Sequence, residues 1–318
     1  MNKTIKQHYV PRFYLKNFAN NIKKEYFTYC YDIRKNKCYP ANIMNIGEEK
    51  YFYKIGDQDF EEDFQKIEKL ATPIITNLSK YKKIKPLLNI ENRSRLSIFM
   101  TIQFLRTKEM RKSLTSFNSK ISEYLQKFEL SEEMDKFNKF LNEEYIKHHH
   151  INAINESMNS LAPMFLFKKW ILIKNKTEIP FWTSDNPIVR YNPQGNIGLE
   201  SDYIHIFFPI NPKLCLCLVD PTKYINFNEL NEFTGEAIIF NIKKITSSKI
   251  TDENKINKIN YLQLKFATRH LFSKYDDYSN VSTLIKNNIN PIEKERVKME
   301  ILKNPKNDNE VLHFYHLD

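Results

Sequence analysis

Five glycines in 318 residues are the tightest constraint this sequence places on its fold. Average usage of about 7% would give roughly 22 in a chain of this length. Phosphate-cradling loops of the Walker type and dinucleotide-binding turns need at least two closely spaced glycines before a helix. The one close pair, Gly195 and Gly198, sits in a polar turn with no helix pattern behind it. Nucleotide-loop machinery is thereby excluded.

Lysine and arginine outnumber aspartate and glutamate by 49 to 38, a formal net charge of +11. Forty of the basic residues are lysine and nine are arginine. The excess of Lys, Asn and Ile reads as the codon bias of an AT-rich genome, so part of the charge is mutational background. Each arginine position then marks a place where the planar, bidentate guanidinium is needed. An aromatic fraction of 14% and a hydrophobic fraction of 41% argue for a folded chain. No apolar run approaches the roughly 18 residues of a membrane span. The first residues carry charges and no small-residue cleavage site, which points to a cytoplasmic protein with no membrane partner. The four cysteines form no metal pattern. Cys215 and Cys217 fall on one face of a strand whose other face is Leu214, Leu216 and Leu218, so they read as buried core thiols. Cys30 and Cys38 flank a hairpin turn as neighbouring reduced thiols.

Periodicity predicts an α+β fold. Pro11 opens a helix running to about residue 19, and 25–33 with 37–43 read as a β-hairpin. Phe60, Phe64, Ile67, Ala71, Ile74 and Leu78 form one helical stripe, bent at Pro73. Further helices are expected at 91–114, 116–128 and 131–162. Segments 165–174, 179–184, 187–191, 202–208, 213–219 and 237–242 read as strands of a mixed or antiparallel sheet built mostly from residues 165–242. A late helix at 253–271 packs on that sheet. A polar region, 273–318, follows with some helix near 292–303. No Gly/Ser/Pro linker divides the helical part (about 59–162) from the sheet-rich part (about 163–272), so one integrated domain over 1–318 is expected.

Four segments carry side chains with chemistry. In Gln7 to Phe18, His8 lies just ahead of a helix start, where it serves as an acid or base, donates to a phosphate, or simply packs the helix entry. In the helix holding FMTIQFLRT, Gln103 and Arg106 share an inward face. A buried arginine needs either a carboxylate partner or a substrate anion. In EIPFWTSDNPIVR, a short strand delivers Ser184, Asp185 and Asn186 at its end, for a metal, a histidine or a turn. In NKINYLQLKFATRHLF, Asn260 and Gln263 give the helix a half-polar stripe that ends in Arg269 and His270. His148, His149 and His150 are consecutive and cannot converge on one metal, and no Gly-x-Ser-x-Gly elbow exists.

Together these segments make the chain resemble an uncharacterised bacterial family, the "domain of unknown function 4238" proteins. The resemblance rests on His8 to Phe18, the helix around Gln103 and Arg106, Phe181 to Val189, and the late helix with Asn260 and Arg269–His270. It implies one convergent site holding His8, Arg106 and Asp185.

The leading expectation is a phosphodiester-cleaving, nuclease-like effector or toxin of a bacterial defence module, with RNA or DNA as partner. His8 would activate the nucleophile or protonate the leaving oxygen, and Arg106 would hold the phosphate. Asp185 would bind a divalent cation, Mg or Mn, or orient His8. Gln103, Asn186, Arg269 and His270 would contact substrate or support those three. The alternatives are a non-catalytic module binding nucleic acid or protein, and a hydrolase or transferase for a small anionic metabolite. Oligomeric state is left open.

Overall fold

The computed structural model describes residues 5–127, 135, 137–221, 245–279, 281, 297–303 and 310–316. The chain begins with β1 (Lys6–His8), pinned by the buried Gln7, which accepts from the Tyr53 N–H at 2.6 Å and donates to Asp59 at 2.7 Å. Pro11 then leads into a short helix, α1 (Arg12–Leu15), continued by a 3-10 turn, Lys16–Phe18. β2 (Asn20–Ile22), β3 (Glu25–Asp32) and β4 (Lys37–Asn42) form an antiparallel meander. β5 (Glu48–Lys50) comes back antiparallel to β1, placing Glu48 opposite His8. That return depends on Gly47, at φ +61°: a Cβ there would meet Val10 Cβ at 3.0 Å. β6 (Lys54–Ile55) and β7 (Gln58–Asp59) form a small hairpin.

The expected stripe builds α2 (Glu61–Tyr81), which buries Phe64, Ala71, Ile74, Ile75 and Leu78 and contains Pro73. Three acids in its first turn suit the positive end of the helix dipole. A short α3 (Lys85–Leu88) precedes α4 (Ile90–Leu105), whose first N–H groups are capped by Asn89. The helix expected over 91–114 is broken at Arg106–Thr107. The Thr107 hydroxyl accepts the Met110 N–H at 3.3 Å and so starts α5 (Lys108–Lys127) as a new helix. The helix expected over 131–162 is α6 (Glu143–Leu166), capped by Asn142 and preceded by a 3-10 turn at Asn138–Leu141. Because α6 runs to Leu166, the strand expected from 165 starts only at β8 (Lys169–Asn175).

β9 (Thr183–Ser184), β10 (Val189–Tyr191), β11 (His205–Asn211), β12 (Leu214–Val219) and β13 (Thr246–Ile250) follow. One sheet runs β10-β11-β12-β8-β13, antiparallel except for the parallel β13–β8 pair. β12 is buried on both faces, with Leu214, Leu216 and Leu218 in the main core and Cys215 and Cys217 in a second cluster. The strand expected at 237–242 lies outside the described residues.

The late helix, α7 (Glu253–Phe266), is shorter than expected, and β14 (His270–Ser273) follows it. A second sheet runs β2-β3-β14-β9 with β4 on the other edge of β3, so the amino-terminal hairpin shares a sheet with residues 270–273. In it Cys30 lies opposite Tyr39 and Cys38 opposite Tyr31, which puts the two thiols on opposite faces. Where helix was expected near 292–303, the backbone forms β15 (Val297–Lys303), antiparallel to β16 (Glu310–His316). Among the described residues no helix is long and apolar enough to cross a membrane. The fold is α+β.

Candidate active site

Two hydrogen-bond networks gather the residues singled out above. In the first, the half-polar stripe of α7 docks the 180–187 segment. Asn260 accepts the Trp182 N–H at 2.9 Å and donates to the Pro180 carbonyl at 2.8 Å, while Gln263 donates to the Pro187 carbonyl at 3.0 Å. The Ser184 hydroxyl lies 2.8 Å from Gln263 Oε1, and Asn186 donates to the Phe266 carbonyl at 3.1 Å. Asp185 is fully buried and accepts three backbone N–H bonds, from Thr268 at 2.8 Å, Arg269 at 2.8 Å and His270 at 3.0 Å. Those N–H groups bond to a carboxylate rather than to helix carbonyls, which is why α7 stops at Phe266 and the chain turns into β14. Burial lifts the Asp185 pKa to about 6 against the pull of the three N–H bonds. Arg269 donates to Asp32 from Nε at 3.1 Å and Nη2 at 2.6 Å, and His270 Nε2 lies 3.8 Å from the same oxygen. Burial first, then the charges of Arg269, Lys108 and Arg34, hold the His270 pKa down at about 4, with Asp32 opposing.

Arg106 belongs to a different network. It is 1% exposed, and its Nε and Nη2 both donate to Gln103 Oε1, at 3.0 and 2.8 Å. Its Nη1 donates to Glu68 at 2.7 Å, so the two outcomes left open for a buried arginine resolve to a carboxylate partner. Gln103 in turn donates to the Tyr9 carbonyl at 3.0 Å. Glu68, Arg106, Gln103 and the backbone beside His8 thus form one chain of hydrogen bonds.

His8 lies on β1 and lines a cleft of about 410 Å³ between the 6–16 segment and α2. Lys6, Arg12, Lys16 and Lys69 surround it, with Glu61, Gln65, Glu68 and Thr72 along one side of α2 and Phe13 and Met44 as apolar contacts. Lys6 pairs with Glu48, but among the described residues Arg12, Lys16 and Lys69 join no ion pair. Two polar atoms on residues of this lining, His8 Nε2 and Glu61 Oε2, are themselves buried and have no hydrogen-bond partner among the described residues. Burial holds the His8 pKa down at about 4, with Arg12, Arg106 and Lys6 adding and a hydrogen bond to the Ile43 backbone opposing. Burial pushes the Glu61 pKa up to about 7, aided by Glu68 and Asp59 and opposed by Gln65 and Arg106. At pH 5–6 the wall therefore presents a neutral base and a protonated acid, the divergence that marks acid–base sites.

Asp185 does not line this cleft with His8; its carboxylates are Glu61 and Glu68. The residue that sequence reasoning leaves without a role is Glu61. Glu61, Gln65, Glu68 and Thr72 recur at steps of 4, 3 and 4 on α2, a polar helical line beside the apolar one. No group of three or more His, Cys, Asp or Glu side chains is placed to hold a metal ion among the described residues. The three N–H dipoles aimed at Asp185 would also point their positive ends at any cation there.

Glu61 carries a stability signature. Its folded pKa of about 7 lies above the unfolded value of about 4.3, so the folded state binds the extra proton and loses stability as pH rises between the two. Glu61→Gln removes that penalty and should raise stability by about 2–3 kcal/mol at pH 8, with the gain vanishing below pH 4. Urea melts of both proteins at pH 4 and 8 measure it, and a gain equal at both pH values counts against a protonated Glu61.

A family model described as "Protein of unknown function (DUF4238)" matches residues 6–277. No match was found among curated proteins or among solved structures. The matched range takes in both clusters and stops short of the β15–β16 hairpin.

Proposed function

The chain belongs to this family of unknown function, and from its own geometry we propose that it cleaves phosphodiesters in the His8–Glu61 cleft. The observation that carries the proposal is the pair of unpartnered buried atoms, His8 Nε2 and Glu61 Oε2, on two residues that line a cleft also bearing three cations outside any ion pair among the described residues, of which Lys16 lies 4.9 Å over the Tyr26 ring. His8 takes a proton from the attacking hydroxyl, Glu61 gives one to the leaving oxygen, and Arg12, Lys16 and Lys69 offset the charge that builds on the phosphoryl oxygens. Arg106 sits behind the wall as a positioning residue that holds Glu68 and, through Gln103, the Tyr9 carbonyl. The Asp185 cluster fixes β14 and the 180–187 segment. Cleavage of nucleic acid inside a cell would suit an effector or toxin of a defence module, and that role is part of the proposal.

Three cations outside any ion pair would also serve a module that only binds nucleic acid. The purified protein, incubated with end-labelled RNA and DNA with and without chelator, separates the readings. A cleaving enzyme should show a bell-shaped kcat/KM with limbs near pH 4, where His8 protonates, and pH 7, where Glu61 ionises. Glu61→Gln should abolish the alkaline limb together with most of the activity. Salt-sensitive binding without cleavage at any pH favours the binding module, and cleavage that Glu61→Gln leaves intact places the chemistry elsewhere.

A further inference from the structure

Among the described residues, the three most exposed large apolar side chains fall in one short stretch of sequence. Tyr81 is 55% exposed, Leu88 55% and Ile90 54%. They sit at the corner where α2 ends, α3 makes a single turn and α4 begins. Interleaved with them, Lys80, Lys82, Lys83 and Lys85 are exposed and, among the described residues, join no ion pair. No acidic residue occurs from Lys80 to Ile90, and Glu91, the next in the chain, is taken by Arg95. The corner is held in shape from beneath. Lys82, at φ +53°, closes α2 by donating its N–H to the Leu78 carbonyl at 2.9 Å. Asn211 donates to the Ser79 hydroxyl at 2.9 Å, Asn92 donates to the Pro86 carbonyl at 2.9 Å, and Leu87 is buried.

Scattered singly, exposed apolar residues are ordinary; gathered together and ringed by charge of one sign, they mark a docking surface. We infer that this corner docks the protein on an anionic lipid surface. The lysines draw it to negative headgroups and lay their stems along the interface. Tyr81, Leu88 and Ile90 enter the boundary between headgroups and acyl chains. Lying on a bilayer needs no spanning segment, so the lack of a long apolar run does not bear on this partner. Charge opposes a second copy of the chain, since a twofold contact through the patch would set four lysines against four. A phosphate backbone would engage the lysines but leave Leu88 and Ile90 in water.

The test sediments the full chain with vesicles of phosphatidylcholine alone and with vesicles about one-third phosphatidylglycerol, at about 0.1 M salt. The anionic vesicles should carry the protein down and the neutral ones should not. Combining Lys80→Gln, Lys83→Gln and Lys85→Gln should weaken anionic-vesicle binding about 10²-fold. Removing equal charge elsewhere, with Lys24→Gln, Lys35→Gln and Lys37→Gln, should weaken it less than about 5-fold. Leu88→Ser with Ile90→Ser keeps every charge yet should bind about 10-fold or more weakly. All these side chains are exposed, and urea midpoints equal to that of the parent check that each variant folds. No binding to anionic vesicles, equal loss in the two lysine triples, or no loss in the Leu88–Ile90 variant each overturns the inference. Vesicles ignored while the first lysine triple weakens binding to labelled RNA or DNA overturns it in favour of a nucleic-acid surface. A parent that elutes as a dimer and a Leu88–Ile90 variant that elutes as a monomer overturn it in favour of a second copy.

Discussion

His8→Gln should lower kcat/KM for phosphodiester cleavage by about 10²–10⁴-fold, the contribution a positioned acid–base group makes, and erase the acidic limb of the pH profile. Glutamine keeps a donor for the Ile43 backbone but offers no lone pair of imidazole basicity where Nε2 stood. The same substitution has a second, opposite signature in stability. The folded His8 pKa of about 4 lies below the unfolded value of about 6.5, so the unfolded chain binds the extra proton and native stability falls as pH drops through that window. At pH 5 the native imidazole therefore costs about 2 kcal/mol relative to pH 8, and His8→Gln should recover about that amount. Steady-state rates and urea melts on one preparation read both effects. A variant that loses activity and stability together would mark His8 as a packing residue and remove it from the chemistry.

Arg106→Met should cost about 3–5 kcal/mol, the range for breaking a buried ion pair from one side. Three consequences add up. Gln103 Oε1, buried, loses both of its donors; Glu68 loses the guanidinium at 2.7 Å; and the Gln103 bond to the Tyr9 carbonyl loses the group that orients it. Arg106→Lys should recover little, because an ammonium has no planar fork to reach Gln103 and Glu68 together. The double substitution Arg106→Met with Glu68→Gln should be milder than the sum of its parts, since the second change removes the carboxylate that the first stranded. Chemical denaturation of the four proteins closes the cycle. A single-variant loss under about 1 kcal/mol, the size of an exposed pair, would show the network carrying no weight.

Much of this fold is legible from local pattern. The α2 stripe and the two apolar faces of the 214–219 strand need nothing beyond periodicity, because burial on one side or both is written in the spacing. What escapes is nonlocal. The overshoot of the late helix to residue 271 follows from a chain that would happily continue. The group that ends it, Asp185, lies more than eighty residues away in sequence. The break at Arg106–Thr107 is a near miss: a threonine with a helix pattern on both sides is a cap signal, but a weak one inside an apolar run. The candidate site divides in the same way. His8 and Arg106 are visible as residues with chemistry out of place, whereas Glu61 is one acid among three at a helix start, where acids are ordinary. Only the 6–16 segment folded across α2 turns the line Glu61, Gln65, Glu68 and Thr72 into the wall of a cleft. Asp185 and His8, prominent in separate motifs, are engaged differently: Asp185 is saturated by three backbone N–H groups, whereas His8 keeps one ring nitrogen, Nε2, without a partner among the described residues.

The pairing of β3 with β14 puts Asp32 opposite His270, and this sets a clock on the birth of the protein. At about 5–20 residues per second, the ribosome needs roughly 10–50 s between delivering the first of these strands and the second. Through that interval the carboxy-terminal half of one β3 edge has no partner, and the hairpin cannot complete its sheet by any local move. A contact across so many residues also slows refolding, because closing the long loop comes before any reward. The amino-terminal segment that supplies His8 and Arg12 is made first, but the sheet beside it is finished only after almost all of the family-matched region has been synthesised.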